Sequence, residues 1–352
     1  MTSRASSGQP SRGALHETRT DERLGQLVRL LTDNAMLVVS GTKVAEELNT
    51  SRSEVWRLVQ QLRELGVDIT GHPATGYQLV SVPDLLLPDV LAPLLKGTIF
   101  DRNIHHYFHI GSTNTSAMAA ASAGAPEGSV FLAEEQVAGR GRGGHTWDSE
   151  PSTGIYCSAI LRPTMAPADV LIISLATGLA VASAIADVTG LTPDLRWPND
   201  VLIGDRKVCG ILTELNAEAT RVRHIVVGVG INVNQARFDA ELAPIATSIA
   251  LETGRTCSRV ELTAALLKSL HREYRALQSD VSAGRMSILR RFEESSRDAQ
   301  GMDVWVEEDG GYAGRSVGLD DRGFLRVQTE QGLRTVLSGG VRPRRANGRP
   351  CC

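Results

Sequence analysis

The 352-residue sequence predicts an α+β chain of three domains, and three observations carry that prediction. Residues 21–82 run helix, helix, short turn, helix, β-hairpin, the order of a winged helix-turn-helix. Residues 83–298 alternate strand-like and helix-like stretches, as in a central α/β domain with a mixed or largely antiparallel sheet. Residues 299–352 hold only short strands between turns such as Asp309-Gly310-Gly311 and Asp321-Arg322-Gly323, a pattern that fits a small β-barrel.

The N-terminal stretch "MTSRASSGQPSRGALHETRTDER" has no apolar core of the kind a signal peptide needs and reads as a disordered arm over 1–20. In "ERLGQLVRLLTD", Leu24, Leu27, Val28, Leu30 and Leu31 fall at helical spacing. The next stretch divides at Asn49-Thr50. Ser51 followed by Glu54 forms a capping box, Val55, Leu58, Val59, Leu62 and Leu65 make an apolar stripe, and Gly66 ends the helix. Ser51 starts the helix and Arg52, Ser53, Arg57, Gln60, Gln61 and Arg63 occupy the opposite face, where Arg and Gln can reach purine edges in a major groove. The same face also suits a solvated helix in a protein-interaction domain. Because one such domain has a small footprint, specific DNA binding predicts a dimer on a two-fold operator.

In the central segment "VLIISLATGLAVASAIA" (170–186) is uncharged. It is short of the roughly 20 residues a bilayer requires and is interrupted by Ser174, Thr177, Gly178 and Ser183, so it predicts a buried helix beginning near Pro167. The net charge of −3 argues against a polycation that coats nucleic acid over its whole surface. Five cysteines without a C-x-x-C pair predict neither a structural metal site nor a disulfide framework, which suits a reducing cytoplasm.

Three stretches carry chemistry. "GRGRGGHTW" (139–147) satisfies the G-x-G-x-x-G spacing, but Pro151 and Gly154 forbid the helix a dinucleotide fingerprint must open. No G-x-x-x-x-G-K-[ST] occurs. What remains is a loop able to fold over an anion, with glycine N–H groups and the bidentate donors of Arg140 and Arg142. In "RWPNDVLIGDRKVCGILTE" (196–214), Lys207 can act as a point charge on a carboxylate or a transferring phosphoryl group, or stand as an ordinary hairpin lysine. In "GSTN" (111–114), Ser112, Thr113 and Asn114 suit either a helix cap or a small polar head group.

Taken together, "GSTN", "AEEQVAGRGRGGHTW", "RWPND", "DRKVCGILTE" and "GVGINVN" stand in the order and spacing of the biotin protein ligases. With a winged helix ahead and a small SH3-like β-barrel behind, the chain resembles the bifunctional biotin operon repressors over about residues 22–340. The resemblance implies an ATP- and Mg²⁺-dependent enzyme that makes biotinyl-5′-AMP and transfers biotin to a lysine of a biotin carboxyl-carrier domain, such as that of acetyl-CoA carboxylase. It also implies operator DNA as a partner and a ligand-linked homodimer. Rival readings are a DNA-binding biotin sensor with a weak ligase domain, and a lipoate or other acyl protein ligase.

Carried over by motif, Ser112, Thr113, Asn114 and Gln136 would meet biotin. Arg140, Gly141, Arg142, Lys207 and Gly210 would lie along its chain and the adenylate, and Trp147, Asn199 and Asn232 on the nucleotide side. Lys207, Arg142 and Asp200 would be the catalytic residues. Two departures stand out: Gly143 and His145 occupy positions where the family is often basic. They predict a less basic and more mobile lid and weaker retention of the adenylate.

Overall fold

The computed structural model describes residues 12–35, 37–72, 75–81, 84–337 and 340–344. The chain forms two compact units: one of residues up to Leu85 with Tyr107–His109, the other of Leu86–His106 with Ile110 onward.

In the first unit the opening helix is α1 (Arg12–Asp33); of the arm expected over 1–20, residues 1–11 lie outside the described residues and the rest is helical. Once Leu24, Leu27, Val28 and Leu31 are buried, the costly nucleus is formed and the helix propagates through the residues before it. α2 (Gly41–Glu47) is capped by Ser40. In α3 (Arg52–Glu64) the Ser51 hydroxyl accepts the Glu54 N–H at 3.2 Å, as the capping box predicts, and Gly66 leaves the helix at φ +81°. Val55, Leu58, Val59 and Leu62 are fully buried. The wing is the antiparallel pair β1 (Ile69–His72) and β2 (Gly76–Leu79), and Val39 bridges Tyr77 of β2.

The second unit begins with α4 (Pro88–Leu94) and is built on a seven-stranded sheet. Its strands are β3 (Ile104–Ile110), β4 (Val130–Gln136), β5 (Gly154–Leu161), β6 (Asp194–Arg196), β7 (Asp200–Ile203), β8 (Arg206–Ala217) and β9 (Val222–Asn232), in the order β3-β4-β5-β9-β8-β7-β6. From β4 to β6 every pairing is antiparallel. α5 (Thr113–Ser122) packs on β4, β5 and β9. The apolar stretch predicted as a core helix is α6 (Leu171–Thr189), preceded by a single turn at Pro167–Asp169; twelve of its residues are buried. It packs with α8 (Arg259–Ser279) and α9 (Val281–Glu294), while the short α7 (Ile249–Thr253) follows β9.

The C-terminal segment is a five-stranded antiparallel sheet: β10 (Gln300–Val306), β11 (Tyr312–Leu319), β12 (Leu325–Thr329), β13 (Gly332–Val336) and β14 (Val341–Pro343), in the order β13-β12-β11-β10-β14. The described residues of the segment expected as a C-terminal domain over 299–352 share a compact unit with the large sheet. The reason is a shared core: Val304, Val306, Leu325, Val327 and Val336 are continuous with the apolar residues of α6 and α9. Polar contacts reinforce it, since the Trp197 indole donates to Gly323 O at 2.8 Å and Leu319 N donates to Glu293 at 2.6 Å.

One ion cluster is locked inside this unit. Glu134 on β4 is fully buried and meets Arg259 Nη1 at 2.8 Å, His106 Nε2 at 2.9 Å and Leu86 N at 2.9 Å. Burial alone would raise its pKa, but Arg259, His106 and the backbone donor outweigh burial and hold it at about 2. A depressed carboxylate stabilises the fold above its ordinary value near 4.5, and that stability is lost as pH falls from there toward 2. Glu134→Gln leaves Arg259 buried without its counter-charge, and urea unfolding at neutral pH is expected to show a loss of about 3–5 kcal/mol.

Candidate functional site

A cavity opens on one face of the large sheet. It is lined by Ser112, Thr113 and Asn114 at the start of α5, and by Gln136 at the end of β4. Arg140, Gly141, Arg142 and Trp147 close it from the glycine-rich loop, and Asn199, Lys207 and Gly210 line it from the β7–β8 side. The sheet itself makes the floor. In antiparallel register Ser158 faces Gly228, Tyr156 faces Gly230, and Gly230 faces Gly210, so these residues share one surface.

The three glycines of that floor admit two side chains. A Cβ at Gly228 would stand 2.1 Å from Asn114 Oδ1, and one at Gly230 would stand 2.5 Å from the Trp147 indole. At Gly210 it would be 2.8 Å from the same indole. Asn114 is held flat: Oδ1 accepts from Ser158 Oγ at 2.6 Å, and Nδ2 donates to Leu212 O at 3.3 Å and Glu214 Oε2 at 3.0 Å. Thr113 N and Oγ1 both reach Gln136 Oε1, at 2.9 and 3.1 Å. Ser112 precedes α5 without a capping bond from its side chain, so the helix-cap alternative for "GSTN" is not realised.

The loop is a small closed hairpin. Arg140 bridges Thr146, Gly141 N donates to His145 O at 2.7 Å, and Trp147 N donates to Gly139 O at 2.9 Å. Gly143 and Gly144 make its turn at φ +66° and +82°. A side chain at 143 would hold a left-handed backbone at a cost of about 1 kcal/mol, so this turn favours the glycine that removes a basic residue. Arg142 points inward to Asn199 Oδ1 at 3.2 Å, and Asn199 is fixed by donating to Ile211 O at 3.0 Å. Burial pushes the Arg142 pKa below the usual arginine range; the nearby Asp200 and Glu308 carboxylates oppose the shift.

Lys207 reaches the same surface through a β-bulge. The pairing Val201 with Cys209 is followed by Leu202 with Lys207, which leaves Val208 as an extra residue on β8. Strict alternation would put Lys207 on the face opposite Gly210; the bulge returns it to the cavity. Its ammonium lies 2.7 Å from Asp200 Oδ1 and 5.5 Å from the Trp147 ring centre. An outer chamber continues from there, walled by His145, Thr146 and Asp200, and by Glu307, Glu308 and Gly340 of the C-terminal sheet.

All the predicted biotin-side residues, with Trp147 and Asn199, thus line the inner cavity, and Asp200 lines the outer chamber. Asn232 is the exception. It is buried, lines neither space, and donates to Thr247 O at 3.0 Å. Its asparagine sits at the strand end, where a backbone carbonyl needed a donor. Sequence reading missed Tyr156, Leu212, Gly228 and Gly230; the alternation of Gly228 and Gly230 along one strand face is the signal that could have found the floor. It also missed the two glutamates of the outer chamber, which no local pattern announces.

On α3, Ser51, Arg52 and Ser53 are exposed, while Arg57, Gln60 and Gln61 are half-buried. Arg57 forks onto Glu54 at 2.9 and 2.6 Å, a bond that raises its pKa. Arg63 turns to Ile69 O at 3.0 and 2.8 Å, which makes it a strut of the wing. Trp56, not singled out from sequence, is 58% exposed on the same helix.

Comparisons with known proteins match these three regions. Residues 109–232 match the model of the biotin/lipoate A/B protein ligase family, 23–78 an HTH domain, and 304–341 the biotin protein ligase C-terminal domain. The chain is 32% identical to the bifunctional ligase/repressor BirA of Bacillus spizizenii, covering 90% of this chain and 97% of that protein. It is 29% identical to the Escherichia coli protein of the same name, covering 87% and 93%. Among solved structures, a biotin protein ligase from Aquifex aeolicus in complex with biotin and ATP superposes with a TM-score of 0.60. That match has 29% identity and covers 70% of this chain and 100% of that one.

Proposed function

Because the chain belongs to the bifunctional ligase/repressor family of biotin protein ligases, we propose that it joins biotin to ATP and also regulates transcription in response to biotin. The product of the first step is biotinyl-5′-AMP. Biotin is then transferred to a lysine of a carboxylase carrier domain. The observation that carries this reading is the cavity itself. A neutral hydrogen-bonding end at Thr113, Asn114 and Gln136 leads to a cationic end at Arg142 and Lys207, the polarity that biotin presents from ureido ring to carboxylate.

In the first step a biotin carboxylate oxygen bonds to the α-phosphorus of ATP, the bond to the β-phosphate oxygen breaks, and pyrophosphate leaves. Two anions must meet, so Lys207 and Arg142 contribute by electrostatic stabilisation of charge on the reacting oxygens. Arg140 and Gly141 would follow the biotin chain, with Gly210 leaving room below. Trp147 and Asn199 would border the nucleotide. In the second step the carrier amine bonds to the biotin carbonyl carbon, AMP leaves, and Asp200 would take or orient the amine proton. The hairpin lid shields the mixed anhydride from water.

Among the described residues no three acidic, histidine or cysteine side chains gather as a metal cage. Magnesium needs none, since it takes substrate phosphates with one or two carboxylates and waters. Asp200 and Glu308 at the outer chamber are the carboxylates that would hold it, and it would neutralise charge on the departing pyrophosphate. Binding of the adenylate would favour a homodimer, which requires only that the adenylate bind the dimer-competent state better. A cytoplasmic location accords with the buried thiols of Cys157 and Cys209.

Incubation with ATP, Mg²⁺, biotin and a carrier domain tests the enzyme reading. Labelled carrier is expected. An unlabelled carrier with biotin still bound would favour a sensor, and displacement of biotin by lipoate would favour another acyl ligase. For the winged helix, Arg52→Ala is expected to weaken operator binding by about tenfold in a gel-shift titration and leave carrier labelling unchanged. Arg57→Ala should cost less, because Glu54 already holds that guanidinium.

A further inference from the structure

We infer that Glu214 is a positioning residue that ties the lid to the head-group end of the cavity; this rests on the ligase reading above. Glu214 lies on β8 two residues beyond Leu212, on the cavity face of the sheet, opposite Val226. Its carboxylate grips the first arginine of the lid as a fork: Arg140 Nη1 to Oε2 at 3.0 Å and Nη2 to Oε1 at 2.9 Å. Oε2 also accepts Asn114 Nδ2 at 3.0 Å.

Asn114 has no freedom to flip, because Nδ2 meets only acceptors and Oδ1 meets the Ser158 hydroxyl. Glu214 therefore sets which end of that amide is offered to a ligand, and the same carboxylate fixes the lid above it. The arrangement has an electrostatic reason. A carboxylate beside a site for an anionic ligand repels it unless neutralised, and Arg140 supplies the neutralising charge.

An ion pair this exposed, 49% for Arg140 and 24% for Glu214, adds little to folding stability, so its role should be read in ligand binding. The test uses the full-length protein with Glu214→Ala and Glu214→Gln. It measures biotin affinity by calorimetry, dissociation of enzyme-formed adenylate, kcat for adenylate formation, and the thermal midpoint.

Glu214→Gln keeps an acceptor for Asn114 but loses the ion pair. It is expected to release adenylate about tenfold faster while biotin affinity changes by less than about threefold. Glu214→Ala is expected to weaken biotin about tenfold as well, with kcat at saturating substrates within about threefold of wild type. In Arg140→Ala the carboxylate stands unneutralised, so adding Glu214→Ala to that variant should recover part of its lost affinity.

Folded variants that hold biotin and adenylate as tightly as wild type would overturn the inference, as would a fall in kcat at unchanged affinity. If the wild type binds biotin but forms no adenylate, the ligase reading fails, and the calorimetric comparison of Glu214→Ala with wild type still decides the role of Glu214.

Discussion

Lys207→Ala is expected to lower the rate of adenylate formation by about 10²–10³-fold, the magnitude seen when one preorganised donor is removed from a charge-developing site. The lysine is placed for that role. It lies 2.7 Å from Asp200, over the Trp147 ring, on the surface it shares with Gly210. Measured as pyrophosphate release at saturating biotin and ATP, the loss should appear in kcat, because the ammonium is needed most as the carboxylate and phosphate approach. Transfer to the carrier from added biotinyl-5′-AMP should suffer far less. A rate within about threefold of wild type would remove Lys207 from the chemistry, since loss of a group that stabilises the reacting charges could not leave so small an effect.

A single methyl group on the cavity floor should have the second large effect. In Gly228→Ala the new carbon would stand 2.1 Å from Asn114 Oδ1, and Asn114 cannot give way without breaking its bonds to Ser158, Leu212 and Glu214. Losing those bonds at the head-group end is expected to weaken biotin by about 100-fold in calorimetry, while ATP binding is largely kept. Gly25→Ala, on α1 with nothing within 4 Å of the added carbon, is the control and should leave biotin affinity unchanged. Wild-type biotin affinity in Gly228→Ala would show that Asn114 is not a head-group contact.

Features written in local spacing were legible in the sequence. The capping box at Ser51 and Glu54, the Gly66 stop, and the core stripe of α3 all form as the pattern requires, because each depends only on residues within a few positions. The inner cavity was legible as well, since "GSTN", the glycine loop and "RWPND" converge on it. What could not be read depends on partners distant in sequence. Asn232 looked like a ligand residue and serves the Thr247 carbonyl. Nothing in local spacing singles out Glu214, whose partner Arg140 lies 74 positions earlier. The core that β10–β13 share with α6 likewise depends on packing between distant segments, which only the folded structure reveals.

The extra residue Val208 gives this site an unusual kind of fragility. Were β7 and β8 to pair regularly with Val208 kept in the ladder, Lys207 and Gly210, three positions apart, would face opposite sides of the sheet, although every side chain named in the chemistry would still be present. The active surface therefore depends on how two strands pair as well as on residue identity. Point substitutions at Val208 leave that dependence untouched.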